Sequence, residues 1–217
     1  MTKRIEVYLE VTPKRTFAGA VEWPGWCRSG KTPGEALEAL VAYGDRYGKV
    51  LVRSKLGFTP PEGVDELEVV GRMTGNATTE FGAPGVAPRA DERPVRPDGL
   101  KRLIAILEAS WRAFDRAAER GVGVELAKGP RGGGRDLPKI IEHVLGAEES
   151  YLAALGSRRP AEPDALARTI LAALTARSRN EEVADPNKVV KRWSPRYFVR
   201  RAAWHRLDHA WEIEDRS

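Results

Sequence analysis

The chain has 217 residues, of which 41% are hydrophobic and 31% charged, enough to bury a core in one or two domains and not the composition of a disordered tail. No run approaches the ~18 consecutive apolar residues that a membrane helix needs, and Met1-Thr2-Lys3-Arg4-Ile5-Glu6 puts an acid where a signal peptide needs an apolar stretch. Thirty-six basic residues against 31 acidic ones give a formal charge of +5, with the excess falling after residue 97, a balance that permits nucleic-acid binding without demanding it. The reading is a protein without a membrane segment, and the single Cys27, which excludes an internal disulfide framework, fits a reducing cytoplasmic setting. A small apolar residue in a packed turn suits Cys27 better than a nucleophile, since no basic partner adjoins it.

In chain order, Ile5, Val7, Leu9 and Val11 alternate with mostly polar neighbours, the period of a half-buried strand over 3–11. Pro13 marks a turn, a second strand fits Thr16–Glu22, and Trp23-Pro24-Gly25-Trp26 turns the chain again. Thr32-Pro33-Gly34-Glu35 is a capping box with proline at the first helical position, and it opens a helix expected to reach Tyr47. Val64–Val70 reads as a further strand, which completes a small α+β domain over 1–74. From 75 to 97 periodicity disappears among Pro84, Pro88, Pro94 and Pro97, as in a Pro/Gly-rich linker.

Over 98–217 four helical segments are expected. Leu100, Leu103, Ile104, Leu107, Trp111 and Phe114 stripe the first, which ends near Gly121. A glycine-rich loop over 121–134 follows. The second runs from an Asp136 cap to Gly156, the third from Pro163 to about Arg179, and the fourth opens at Ser194-Pro195 and continues to the end of the chain. The fold class is therefore multidomain α+β, an α/β N-terminal unit followed by an all-α four-helix bundle.

The three histidines carry the chemistry. His205 and His209 stand at i and i+4 on the fourth helix, so both imidazoles leave one face about a turn apart. His143 lies on the second helix, which a bundle can place beside the fourth. Together they predict a facial three-nitrogen metal site with open positions, the arrangement of a catalytic centre rather than a closed structural one. Gly146, Ala147 and Ser150 follow His143 on the same face; they suit a substrate groove and suit close helix packing equally well. Glu142, Asp208 and Glu212 are candidates to accept a distal imidazole N–H and fix its tautomer. Three imidazoles suit zinc, nickel, iron, manganese or copper and do not choose among them.

The segments Arg135-Asp136-Leu137 through Ile141-Glu142-His143-Val144-Leu145-Gly146-Ala147-Glu148, and Arg201-Ala202-Ala203-Trp204-His205-Arg206-Leu207-Asp208-His209-Ala210-Trp211-Glu212, resemble the DinB/YfiT superfamily of metal-binding four-helix bundles over about 98–217. The resemblance maps that family's histidine triad onto His143, His205 and His209. It implies a metal-dependent thiol S-transferase, or a related hydrolase or isomerase, acting on a small molecule with a low-molecular-weight thiol as cosubstrate. Within 1–74, Phe17-Ala18-Gly19-Ala20-Val21-Glu22-Trp23-Pro24-Gly25-Trp26-Cys27-Arg28-Ser29-Gly30-Lys31-Thr32-Pro33-Gly34-Glu35-Ala36-Leu37 resembles the HicB antitoxin fold. That likeness implies a binding or dimerisation module, compatible with a homodimer; the DNA-binding tail usual in such antitoxins is replaced by the bundle. The rival to an enzyme is a stress-response or protein-binding or nucleic-acid-binding module with a structural metal.

Two further signals point elsewhere. Gly132-Gly133-Gly134-Arg135 precedes a helix but lacks the Gly-Lys-Ser/Thr ending of a phosphate-binding loop, so it reads as a connecting loop. Lys188, Lys191, Arg192, Arg196, Arg200 and Arg201, with Trp193 and Tyr197 interleaved, form the strongest nucleic-acid signal, yet they read better as a solvated basic face. Trp111, Trp204 and Trp211 read as packing residues.

Overall fold

Alternation along Ile5–Val11 produces strand β1, and in the computed structural model, which describes residues 4–128, 134–181 and 192–217, β1 is the second strand from one edge of a four-stranded sheet. The others are β2 (Thr16–Ala20), β3 (Cys27–Gly30) and β4 (Leu67–Thr74), in the order β3-β2-β1-β4. β1 pairs antiparallel with β2, with Val7 opposite Ala20 and Leu9 opposite Ala18, and parallel with β4; β2 and β3 are antiparallel. Val7, Tyr8, Leu9 and Glu10 are all buried, so β1 is covered on both faces where half-burial was expected. Gly19 lies opposite Tyr8, and a Cβ there would meet the tyrosine ring at 2.5 Å.

β3 was not anticipated, because Arg28, Ser29 and Gly30 carry no apolar period. It places Cys27, buried, at its start. The turn before it closes through Trp26 N–H donating to the Trp23 carbonyl at 3.1 Å, with Gly25 at φ 94°. The expected single helix to Tyr47 is two helices, α1 (Pro33–Ala42) and α2 (Gly44–Leu51). Thr32 caps α1 as expected, its hydroxyl accepting from Glu35 N–H. The break has a local cause. A continuous helix would give the Leu40 carbonyl to the Gly44 N–H, but Trp26 Nε1 donates to that carbonyl at 2.8 Å, and Tyr43 N–H closes on it in a tighter turn at 3.2 Å. Fully buried Trp26 stacks on Tyr47, whose hydroxyl donates to the Pro24 carbonyl.

The expected linker over 75–97 is largely structured. It contains α3 (Ala77–Phe81), held by an Asn76–Thr79 capping box, and a single 3-10 turn at Arg89–Glu92. Buried Glu10 organises it: its carboxylate accepts from the Thr79 hydroxyl, from Gly85 N–H at 2.8 Å and from Val86 N–H at 3.2 Å. A buried carboxylate left without donors would be costly, so these bonds hold the segment to β1. The chain divides into two compact units between Arg93 and Pro94, inside the stretch 75–97 expected to separate two domains. Limited proteolysis is therefore expected to leave 75–93 attached to the N-terminal piece; a stable fragment ending near residue 74 would contradict this assignment.

The second unit consists of α4 (Pro97–Arg120), α5 (Leu137–Leu155), α6 (Leu166–Ser178, preceded by a 3-10 turn at Pro163–Ala165) and α7 (Pro195–Arg216). α7 packs on α4, α5 and α6, and α6 also packs on α4 and α5. The expected caps are present, with Asp136 accepting from Lys139 N–H and Ser194 from Tyr197 N–H, each at 3.1 Å. Two apolar clusters fill the interior. One contains Leu107, Leu152, Ile170 and Phe198, the other Phe114, Ile140, Val144 and Ile213. Among the described residues no helix is long and apolar enough to cross a membrane.

Candidate metal centre

Between the two apolar clusters, α4, α5 and α7 carry polar side chains. On α5, which Asp136 caps, the apolar spacing buries Ile140 and Val144 while the neighbouring His143 is only partly covered. On α7, buried His205 and His209 meet it. The three imidazoles offer ligand nitrogens that all lie within 4.8 Å of one another. His143 Nε2 and His205 Nε2 are 3.2 Å apart, close to the ~3.3 Å that separates two nitrogens each ~2.0–2.1 Å from a tetrahedral ion. The rings stand 61° to 83° apart, with centroids 4.6–5.0 Å from one another. Mutually tilted rings with converging nitrogens form a group that could hold a metal ion. No carboxylate or thiol completes this group among the described residues.

Protonation favours ligation. Burial pushes His205 well below the usual imidazole range, with further lowering from the charges of His209 and Arg201, and burial lowers His143 in the same direction. Both shifts favour the neutral form, the one that binds a metal. His209 Nδ1 lies 2.7 Å from Glu212 Oε2, and Arg216 donates to Glu212 Oε1 at 2.6 Å. Burial alone would raise the Glu212 carboxyl, but the bond and charge of His209 and those of Arg216 outweigh it and bring it down to about 2. With Glu212 accepting at Nδ1, Nε2 is the His209 nitrogen left to face an ion. Arg216 also donates to the carbonyls of Ala127 and Arg135, which ties these two residues between α4 and α5 to the carboxylate beside His209.

The structure thus brings Glu212 to a triad imidazole as the sequence suggested; Glu142 is exposed and Asp208 partly so. Gly146 and Ser150 are exposed and Ala147 is half-buried. A Cβ at Gly146 would meet nothing within 4 Å, so among the described residues no helix packs against it there. Of the basic run, Arg200 and Arg201 are buried rather than solvated, while Lys188 and Lys191 lie outside the described residues, as do Gly132 and Gly133 of the glycine-rich loop. Trp204 and Trp211 are buried, and Trp111 does more than pack, because its Nε1 donates to Glu148 at 2.7 Å.

Beyond Glu212, sequence reasoning missed the polar and aromatic groups around the histidines. Buried Glu148 on α5 takes a forked pair of bonds from Arg206 on α7, at 2.8 and 2.5 Å, and the guanidinium lies over the Phe114 ring. Tyr151, one turn beyond Ala147, packs edge-on against the His205 ring at 5.8 Å between centroids. Only Glu212 and Arg216, four residues apart on one helix, had a spacing that pointed to contact. Compared with protein-family models, with curated proteins and with solved structures, the chain matches none.

Proposed function

We propose that the chain binds one divalent metal ion through His143, His205 and His209 and uses it as a metal-dependent enzyme on a small molecule, a thiol S-transferase or a related hydrolase or isomerase of the DinB-like kind. The observation that carries this reading is the convergence of three imidazole nitrogens with no further protein ligand in the group among the described residues. Three nitrogens leave at least one position for an exogenous donor. A bound dication supplies one piece of chemistry, lowering the pKa of a thiol or water that reaches it.

The chain's own residues do the rest. Glu212 fixes the His209 tautomer, the forked Glu148–Arg206 pair joins α5 to α7, and the open space beside Gly146 admits the substrate. The N-terminal unit, with its three antiparallel strands leading into a Thr32-capped helix, is read as a HicB-like binding or dimerisation module. Elemental analysis of purified protein is the test. Wild type is expected to hold about one zinc, nickel, iron or manganese ion per chain, and the triple His→Ala variant none. Equal metal content in the folded triple variant would refute the site.

A further inference from the structure

Arg216 lies in the last turn of α7, where a cation is ordinarily left in water to meet the helix dipole. Here it is only 6% exposed, and each guanidinium nitrogen is used. Nε donates to the Ala127 carbonyl at 2.7 Å, Nη2 to the Arg135 carbonyl at 2.8 Å and Nη1 to Glu212 at 2.6 Å. The Arg216 carbonyl, at the helix end and so without an intrahelical partner, accepts from the Ala127 N–H at 2.8 Å. Ala127 is thus bonded to Arg216 through both of its backbone groups. Ala127 and Arg135 are exposed, so their positions depend on these bonds rather than on burial of their side chains. Glu212 continues the line, its other oxygen 2.7 Å from His209 Nδ1. A run of hydrogen bonds therefore leads from two backbone positions between α4 and α5, through one guanidinium and one carboxylate, to a triad imidazole.

We infer that Arg216 is a positioning residue of the histidine centre and that metal uptake and the anchoring of Ala127 and Arg135 are linked through it. This rests on the metal reading above and adds a control on it, since the state of an exposed segment sets the affinity of a buried site. Glu212 is held at one oxygen by Arg216 and at the other by His209. Without the guanidinium the carboxylate is free to turn, and His209 loses a fixed acceptor at Nδ1. In the other direction, an ion that fixes His209 fixes Glu212, and with it the guanidinium and the carbonyls it bonds. Hydrogen bonds arranged in such a chain polarise and strengthen one another. The linkage is reciprocal: the factor by which anchoring raises metal affinity is the factor by which metal strengthens anchoring. Arginine suits the position because its planar fork presents donors in three directions, where an ammonium offers a single nitrogen.

The experiment uses the full-length, isotope-labelled protein with zinc as the ligand. It reads zinc affinity against a competing chelator, and hydrogen exchange of the Ala127 amide with and without zinc. In wild type, saturating zinc is expected to slow that amide about tenfold. Arg216→Met should bind zinc about tenfold more weakly, about 1.4 kcal/mol, and its Ala127 amide should exchange equally fast with and without saturating zinc. Ile170→Ala, which opens a cavity in an apolar cluster that contains neither Arg216 nor a histidine, separates this from general destabilisation. It should keep both the wild-type zinc affinity and the slowing of Ala127. Should Arg216→Met not fold, Arg216→Lys takes its place: the ammonium keeps the charge beside Glu212 but cannot serve the carboxylate and both carbonyls, so the weaker affinity and the lost response should both appear. Wild-type zinc affinity in the Arg216 variant, an equal loss in Ile170→Ala, or an Ala127 amide indifferent to zinc in the wild type would overturn the linkage and leave the metal site standing. No zinc uptake by the wild type would remove both.

Discussion

Glu148→Ala is expected to lower the stability of the helical unit by about 3–5 kcal/mol, the usual cost of removing one partner from a buried ion pair. Glu148 is 1% exposed and Arg206 7%, so water cannot replace the lost carboxylate. The substitution strands two groups at once, because Glu148 Oε1 accepts from both Arg206 Nε and Trp111 Nε1. A guanidinium without its carboxylate then sits over the Phe114 ring between two apolar clusters, where a charge is most costly. The double variant Glu148→Leu with Arg206→Met should recover most of the loss, since apolar side chains of similar volume carry no desolvation cost. Thermal and urea unfolding of the single and double variants measure the difference. A double variant as unstable as Glu148→Ala would mean that the pair contributes net stability rather than joining α5 to α7 at a cost.

That polar layer shows where sequence reading stops. α4, α5 and α7 were legible because their signals are local: a cap at Asp136 or Ser194, proline at the start, and an apolar stripe of period 3.6. The triad was legible for the same reason, since His205 and His209 share a face by spacing and His143 is the only other histidine of the chain. Glu148 and Arg206 are separated by 58 positions, and nothing near either distinguishes them from the solvated charges around them. The N-terminal unit repeats the lesson. β3 lacks a period, the break between α1 and α2 depends on Trp26 reaching the Leu40 carbonyl, and the stretch after β4 looked like a linker because the residue that orders it, Glu10, lies on β1. Pro and Gly made 75–93 aperiodic without making it independent of the sheet. Tertiary contacts supplied what local pattern could not.

Glu212→Ala is expected to weaken metal binding by about 10–100-fold, the usual effect of removing a carboxylate that orients a ligating imidazole. The loss has two sources. His209 gives up the acceptor at Nδ1 that selects its tautomer, and Arg216 gives up the anion that holds it at the end of α7 while it bonds the Ala127 and Arg135 carbonyls. Glu212→Gln should lose less, because an amide oxygen still accepts from Nδ1. The pH dependence separates these roles. His205 and His143 have folded-state pKa values below the ordinary 6.5, so the unfolded chain takes up protons that the folded one refuses. The stability they contribute is fully present above about pH 6.5 and is lost as pH falls below it. Metal affinity falls in the same direction, since protons compete for the same nitrogens. Glu212 acts in a lower window: its carboxyl moves from 4.5 to about 2 on folding, so its contribution is present above pH 4.5 and is lost as pH falls from there toward 2. Unfolding of metal-free protein followed from pH 8 to 2 should show both losses in the wild type and only the upper one in Glu212→Gln, with zinc affinity measured in parallel against a competing chelator. An unchanged zinc affinity in Glu212→Ala, or a lower loss that persists in Glu212→Gln, would show that the carboxylate neither orients His209 nor titrates with the fold.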